Sequence, residues 1–390
     1  MAAAAAGCYG VGRIAWADWI WRNADANAAA AIALVPVNWN YYRDLAELNP
    51  KHAISPLRRA VELNPRNPTL RIELAEYAEE AGDFSTAEES LRNAVALDRT
   101  YAPRAEQAQF YFRRHDTARF LKAARVALEI SREDARPLFE DCWQSASDGD
   151  AILREAIPDR PEILLQYLNF LLEKDKPEAA RPVANKVMAT AGEESRAEGR
   201  EALLSYCDRM LTAGDREEAV KAWNWLARRP AGKPNPIARS VLTHLVTNGG
   251  FEQPTINRGF DWRYLAGAGL YYDSVVPGAL RVTFSGQQPE NCDVLWQYVA
   301  LEAGGKYRLR VKYRTPVRDA GLRWEVPAGG KDLLDGAGVL SGAGEGERTI
   351  EFNGPEQAGL GRLLLRYERV KGTVRIEGDA EIQSVELERE

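Results

Sequence analysis

A 34-residue recurrence constrains the first part of the chain more than any other sequence feature. Segments 53–63 and 87–97 carry alanine, leucine, alanine, valine and leucine at the same spacing, and 127–130 repeats the ending 33 residues after Ala94. A fixed period of this length is typical of stacked helix pairs, none of which has a complete core of its own. We therefore predict antiparallel helix pairs over residues 40–229. The small residues expected to be buried between helices are Ala60, Ala87, Ala94 and Ala219.

A turn motif supports this period. The sequence Ala81-Gly82-Asp83 recurs as Ala213-Gly214-Asp215, 132 residues later, and each copy is followed by a small alanine four residues after the aspartate. Glycine permits the tight turn between two helices, and the alanine lets the second helix approach the first. Residues 174–177 stand where another such turn is expected, whereas His115-Asp116 replaces the glycine in a degenerate copy between residues 101 and 158.

With this period and these turns, residues 39–229 resemble tetratricopeptide repeats, and we predict an α-solenoid there. The resemblance implies a scaffold that holds a protein or peptide partner in a groove. The known peptide clamps of that family are not present, so the resemblance names no ligand. A candidate groove patch is formed by Tyr111, Arg113, Arg114 and Arg119. The alternative is that these side chains belong to a solvated helix face.

The pattern changes near Pro230. Residues 229–236 are rich in proline and glycine and cannot continue a helix, so 230–242 is predicted to be a linker. Beyond it, apolar and charged residues alternate, which is typical of half-buried strands in an antiparallel β-sandwich. The clearest runs are 280–284, 307–313, 322–326 and 374–376.

Landmarks in this second part occur in a specific order. Asn248-Gly249-Gly250-Phe251-Glu252 comes first, followed by Gly259-Phe260-Asp261-Trp262, Trp296-Gln297-Tyr298-Val299 with Gly305-x-Tyr307, and a closing Ile382-x2-Val385-x-Leu387. With these, residues 243–390 resemble carbohydrate-binding modules of the galactose-binding, jelly-roll type. The order of repeats before sandwich is similar to acidobacterial proteins associated with the envelope and with exopolysaccharide systems. The resemblance implies glycan binding.

Sugar binding requires an aromatic face for the C–H surface of the sugar and planar polar groups for its hydroxyls. Tyr271 and Tyr272 are adjacent in a glycine-rich approach to a strand, so one of the two must point outward. Trp296 and Trp324 lie in alternating runs and are expected in the core. The candidate glycan-binding residues are Trp262, Arg263, Tyr271, Tyr272 and Arg366. The alternative is a sandwich that binds no glycan and serves only as a packing module in a protein-interaction scaffold.

Charge and motif content narrow the function. The net charge is −6 and both parts are mildly acidic, so the chain lacks the basic surface that nucleic acid requires and no nucleic-acid partner is expected. It has no nucleophile elbow, Walker loop, dinucleotide fingerprint or H-E-x-x-H motif, and its three histidines are scattered. We predict a non-enzymatic protein without a cofactor or metal, and Ser384 at a position that is commonly acidic in related modules argues against a structural calcium.

The first 38 residues are predicted to be a separate segment, which we interpret as the remnant of a signal or membrane region. Ala5-Ala6-Gly7-Cys8 imitates the end of a lipoprotein signal, but the apolar stretch before it is too short. Arg13 and Asp18 interrupt a membrane span. The resemblance favours an extracytoplasmic or membrane-associated location. Cys142 and Cys207 lie in apolar helical stretches and are expected to be buried structural thiols.

Overall fold

The computed structural model describes residues 2–23, 27–190, 196–228, 241, 244–275 and 278–390. Within these residues the chain consists of helices followed by antiparallel sheets, as predicted. It divides into two compact units, Met1–Gln166 and Tyr167–Glu390. The predicted linker 230–242 lies outside the described residues apart from Val241, and the domain boundaries stay a prediction.

Helices occupy the whole of the first unit and the start of the second. None of the helices among the described residues is long and apolar enough to cross a membrane. The helices are α1 (Ala2–Asn23), α2 (Ala28–Leu34), α3 (Trp39–Leu48), α4 (Ile54–Leu63), α5 (Pro68–Glu80), α6 (Phe84–Leu97), α7 (Tyr101–Arg113), α8 (Thr117–Leu128), α9 (Arg136–Ser145), α10 (Gly149–Glu155), α11 (Pro161–Glu173), α12 (Pro177–Thr190), α13 (Arg196–Ala213) and α14 (Arg216–Ala227).

Local chemistry explains where the helices begin and end. Asn67 caps α5 by accepting the Thr69 backbone N–H at 3.0 Å, and Asp83 caps α6 by accepting that of Thr86 at 3.1 Å. Such caps satisfy backbone donors that lack an intrahelical partner. His115 takes a φ of 55°, so it fills the left-handed turn position that glycine fills elsewhere.

The predicted burial of the small residues is confirmed. Ala60, Ala87, Ala94 and Ala219 are all fully buried. Because no side chain larger than a methyl group separates the helices there, neighbouring helices approach closely. Cys142 and Cys207 are also fully buried, and burial raises the pKa of the Cys142 thiol to about 12. Both thiols therefore act as small apolar side chains.

The second unit ends in a β-sandwich. A five-stranded antiparallel sheet has the order β1-β2-β10-β4-β8, a three-stranded one the order β3-β9-β5, and β6-β7 is a short hairpin. The strands are β1 (Leu270–Val275), β2 (Ala279–Ser285), β3 (Asn291–Leu301), β4 (Lys306–Thr315), β5 (Leu322–Glu325), β6 (Pro327–Ala328), β7 (Lys331–Asp332), β8 (Gly344–Asn353), β9 (Gly359–Glu368) and β10 (Glu377–Arg389).

The inward side chains of both sheets share one hydrophobic core. Tyr307, Leu309 and Val311 enter it from the five-stranded sheet, and Leu363 and Leu365 from the three-stranded sheet. This alternation places the charged residues of the same strands outside, as the sequence pattern predicts.

One predicted strand is wrong. Residues 374–376 are not part of a strand, and the Val374 side chain is exposed. The Ile376 backbone N–H donates to the Tyr367 hydroxyl at 3.2 Å instead of to a neighbouring strand. A side-chain acceptor has replaced the sheet partner, which an alternating pattern of three residues does not reveal.

Within the second unit, the last helices pack on the sandwich. Asp208 of α13 accepts hydrogen bonds from Arg258 Nε at 2.8 Å, from the Gly259 backbone N–H at 2.7 Å and from Arg263 Nη2 at 2.6 Å. Gly259 has a φ of 60°, and a Cβ there would lie 2.1 Å from the Trp223 ring of α14. Glycine is therefore required at this position by both its backbone conformation and its closeness to the indole.

Candidate functional site

The predicted groove residues do not form one patch: Tyr111 and Arg119 meet at Glu88, whereas Arg113 and Arg114 have other neighbours. Arg113 of α7 pairs with Glu79 of α5 at 2.8 Å, whereas the guanidinium of Arg114 lies 3.6 Å from the centre of the Phe84 ring. Arg119 pairs with Glu88 at 3.0 Å. Each arginine is thus matched to a different neighbour.

Tyr111 requires a correction. Its side chain is buried, its hydroxyl donates to Glu88 at 3.1 Å, and the Arg119 guanidinium lies 5.0 Å from the centre of its ring. Burial and its hydrogen bond raise the pKa of Tyr111, with desolvation as the larger cause. The ring therefore has no face for a partner and instead connects α7 with α6 and α8.

An acidic pocket is lined mainly by α3 and α5, the first helices of two successive helix pairs. It lies near Arg113. Its volume is about 290 Å³. One cation of the pocket, Arg43, is already paired with Glu73 at 2.7 Å. We call this site the acidic pocket; its lining residues are Arg43, Glu47, Leu57, Glu73, Glu76, Tyr77 and Glu80.

The carboxylates of the acidic pocket repel one another. The pKa of Glu76 is raised, first because surrounding protein partly desolvates it and then because Glu106 and Glu73 oppose its charge. A carboxyl group whose pKa is raised in this way is stabilised by a nearby cation, because the cation favours its ionised form. The acidic pocket is therefore electrostatically suited to a lysine or arginine side chain.

The predicted glycan residues are placed differently from one another. Trp262 is fully buried: it packs 6.0 Å from Trp324 between ring centres, and its indole N–H donates to the Asn248 carbonyl at 3.0 Å. Its prediction as a sugar-binding side chain is thus corrected, because no face of the indole reaches solvent. Trp324 is fully buried as predicted.

The two adjacent tyrosines point in opposite directions, as the strand pattern requires. Tyr271 is 61% exposed. Tyr272 stacks on Tyr264 with 4.2 Å between ring centres and donates its hydroxyl to the Val294 carbonyl at 2.8 Å. Burial raises the pKa of Tyr272. Of the pair, Tyr271 alone offers an open ring.

Arg263 and Arg366 both have acidic partners. Arg263 Nη2 donates to Asp208, and Arg366 pairs with Asp293 at 3.0 Å and Glu325 at 3.4 Å. Their charges are compensated within the protein. Arg366 nevertheless lies on the outward side of the three-stranded sheet, beside a group of aromatic and basic residues.

This group forms an aromatic surface on β3 and β9. Trp296 and Tyr298 meet edge to face with 5.2 Å between ring centres, and Arg362, the cross-strand neighbour of Tyr298, has its guanidinium 5.4 Å from the centre of the Trp296 ring. All three side chains are half-buried. We call Trp296, Tyr298 and Arg362 the aromatic face.

The prediction that Trp296 belongs to the core is wrong, because Gln297 takes the inward position. The fully buried Gln297 amide accepts the Thr247 backbone N–H at 3.0 Å and donates to the Thr247 carbonyl at 3.2 Å. These bonds satisfy a polar side chain inside the sandwich. The register shift between Asp293 and Leu295 interrupts the alternation of side chains in β3, so the residues that point inward are hard to deduce from the sequence.

Comparisons with known proteins give no family. No family model and no curated protein matches the chain. Among solved structures, PilF of Pseudomonas aeruginosa is 18% identical over 50% of this chain and 93% of its own, with a TM-score of 0.26. YrrB, a TPR protein with an unusual peptide-binding site, is 13% identical over 51% and 89%, with a TM-score of 0.23.

The chain is also similar to tailspike protein 4 of bacteriophage CBA120, in its enzymatically active domain. The identity is 13% over 38% of this chain and 21% of that one, with a TM-score of 0.28. Because these identities and TM-scores are low, the similarities do not indicate the function of this chain.

Proposed function

We propose that the chain is a non-enzymatic scaffold whose helical repeats recruit a protein partner through a basic segment. The observation that carries this proposal is the acidic pocket. Its carboxylates outnumber its arginine, and Glu76 has a raised pKa that a partner cation would relieve. A lysine or arginine of an extended peptide fits this surface by charge.

The proposal is tested with the full chain and a labelled, lysine- and arginine-rich peptide, by fluorescence anisotropy. Glu76→Gln with Glu80→Gln is expected to weaken binding, and added salt is expected to weaken it further because exposed charges are screened. Glu89→Gln, on the exposed surface of α6, removes one carboxylate away from the pocket and serves as the control.

Two results contradict this part of the proposal. One is that the basic peptide binds no better than a peptide of reversed charge. The other is that Glu89→Gln weakens binding as much as a single Glu76→Gln substitution, because the effect is then one of net charge.

A second candidate function, contact of the sandwich with a glycan, is supported by the aromatic face. Aromatic rings and planar polar groups are the side chains that sugars require, and here they lie on adjacent positions of two strands. A glycan partner in turn favours an extracytoplasmic place of action, in polysaccharide export or envelope assembly. The purely structural scaffold is the competing proposal.

Retention of the full chain in affinity electrophoresis on immobilised polysaccharide distinguishes the glycan contact from the purely structural scaffold. Tyr298→Ala is expected to abolish retention, whereas Tyr271→Ala is expected to leave it unchanged, and the melting temperature of each variant shows whether its fold is intact. Loss of retention in Tyr271→Ala alone would place the glycan site at β1. A wild-type chain that no polysaccharide retards supports the purely structural scaffold.

A further inference from the structure

Arginines on both outward sides of the sandwich pair with carboxylates. On the five-stranded sheet, arginines pair across strands with carboxylates: Arg281 with Glu381 at 3.1 Å, and Arg310 with Glu386 at 3.1 Å. On the three-stranded sheet, Arg323 pairs with Glu325 at 2.6 Å. The guanidinium N–H groups in these pairs already donate to carboxylates of the protein, so they are not available to a ligand.

Arg362 is different. Its side chain forms no ion pair and makes no hydrogen bond among the described residues, and its guanidinium is held against the Trp296 ring. A second guanidinium, that of Arg263, lies 5.2 Å from the centre of the Trp296 ring and 5.4 Å from that of the Tyr298 ring, but Asp208 compensates its charge. Arg362 is thus a half-buried cation, oriented by an indole, with its donors unused.

The groups beside Arg362 are also donors. Neither the indole N–H of Trp296 nor the hydroxyl of Tyr298 has a hydrogen-bond partner in the part of the chain that the structure describes. A guanidinium, an indole N–H and a phenol O–H can each donate, and the first two cannot accept. A ligand that fits this surface must therefore be rich in acceptors and have an apolar side for the rings.

We propose that the aromatic face binds a sugar ring that carries a carboxylate, of the uronic acid class, with Arg362 as the group that receives the carboxylate. The planar guanidinium matches a carboxylate in a bidentate pair, and charged hydrogen bonds of this kind are stronger than neutral ones. Tyr298 and Trp296 contact the ring and its ether oxygens. This inference rests on the proposed contact of the sandwich with a glycan.

Isothermal titration of the full chain compares tetramers of galacturonic, glucuronic and mannuronic acid with the neutral tetramers of the same ring configuration. The wild-type chain is expected to bind one acidic tetramer about tenfold or more tightly than its neutral counterpart. Arg362→Gln is expected to remove that preference and leave the affinity for the neutral tetramer unchanged. Arg362→Lys, which keeps the charge without the planar fork, is expected to retain part of it.

Arg314→Gln is the matched control. Arg314 lies on the outward side of the five-stranded sheet, its side chain is 58% exposed, and the substitution changes net charge by the same amount. It is expected to leave the acidic preference unchanged. If it lowers the preference as far as Arg362→Gln does, the effect is one of net charge and the proposal is overturned.

The outcomes distinguish the carboxylate preference from the glycan contact itself. Equal binding of acidic and neutral tetramers, with loss of both in Tyr298→Ala, overturns the carboxylate preference and leaves the glycan contact in place. Failure of every tetramer to bind overturns both. Preference for the acidic tetramer that survives in Arg362→Gln assigns the carboxylate to another residue and likewise overturns the role given to Arg362.

Discussion

Two turns of nearly identical sequence show how the same local structure serves different surroundings. Gly82 and Gly214 have φ values of 78° and 77°, and the aspartate after each caps the next helix. Asp83 accepts the Thr86 backbone N–H at 3.1 Å, and Asp215 accepts that of Glu218 at 3.2 Å. Residue by residue, the two turns are equivalent.

The helices that follow these turns have different neighbours. The helix after Gly82 carries Leu91 at the position where the helix after Gly214 carries Trp223. Leu91 is buried among helices of the first unit, whereas Trp223 packs against Gly259 and Phe260 of the sandwich, with 5.9 Å between the Trp223 and Phe260 ring centres. The repeat therefore determines the local turn, whereas the neighbouring elements determine what the side chains further along the helix contact.

Replacing the two equivalent side chains gives the largest expected contrast. Trp223→Ala is expected to lower the free energy of unfolding by about 3–5 kcal/mol, because a buried indole leaves a cavity. Hydrogen exchange in segment 244–264 should then become faster, since this segment loses its contact with α14. Leu91→Ala also destabilises, by about 2–5 kcal/mol, but leaves exchange in 244–264 unchanged. Faster hydrogen exchange in segment 244–264 of Leu91→Ala would contradict the expected difference between the two variants.

A pH dependence is expected in the second unit. Asp261 follows Phe260, is buried, and has one carboxyl oxygen without a hydrogen-bond partner among the described residues. Burial raises the pKa of Asp261 from 3.8 to about 6, against the opposing effects of the Ile256 and Trp262 backbone, the Asn248 side chain and Arg263. The folded chain therefore holds this proton more tightly than the unfolded chain.

This difference in proton binding determines the direction in which stability changes with pH. The stability due to this proton is fully present below pH 4 and is lost as the pH rises through about 6. Asp261→Asn, which is neutral throughout, is expected to be more stable than the wild type by roughly 3 kcal/mol at pH 7.5 and equally stable near pH 3. Urea unfolding across this range measures the difference. Parallel curves for the two proteins contradict the prediction.

Enlarging the two equivalent alanines tests the register of the repeats. Ala87→Leu and Ala219→Leu are each expected to destabilise the chain by about 1–3 kcal/mol, because each residue is fully buried and the helices leave no room for a larger side chain. Thermal melting measures both. An unchanged melting temperature in either variant shows that the assigned register is wrong.

The smallest contrast is expected at the helix caps. Asp215→Ala removes a cap and a 2.7 Å ion pair with Arg181, at a cost of about 1 kcal/mol. Asp83→Ala is expected to lower the melting temperature less, because Arg58 is 3.4 Å from Asp83 and both side chains are more exposed. Equal shifts in the two variants show that the ion pair of Asp215 contributes nothing to stability.

The candidate sites were only partly predictable from the sequence. Alternation predicted that one of Tyr271 and Tyr272 faces solvent, because successive side chains in a strand point to opposite sides. It did not predict that Gln297 lies inward and Trp296 outward, since the partner of Gln297 is the backbone of Thr247, far away in the sequence. Hydrophobicity alone favours the opposite orientation.

The sequence by itself determined the helix period, the turns, the buried alanines and the strands β2, β4 and β5, because each depends on residues that are close along the chain or on a repeated pattern. Only the tertiary structure decided which charges remain unpaired. Arg263 is compensated by Asp208, 55 residues earlier, whereas Arg362 faces Tyr298 across the sheet and has no such partner among the described residues. Electrostatic pairing depends on distance in space, and the sequence does not give that distance.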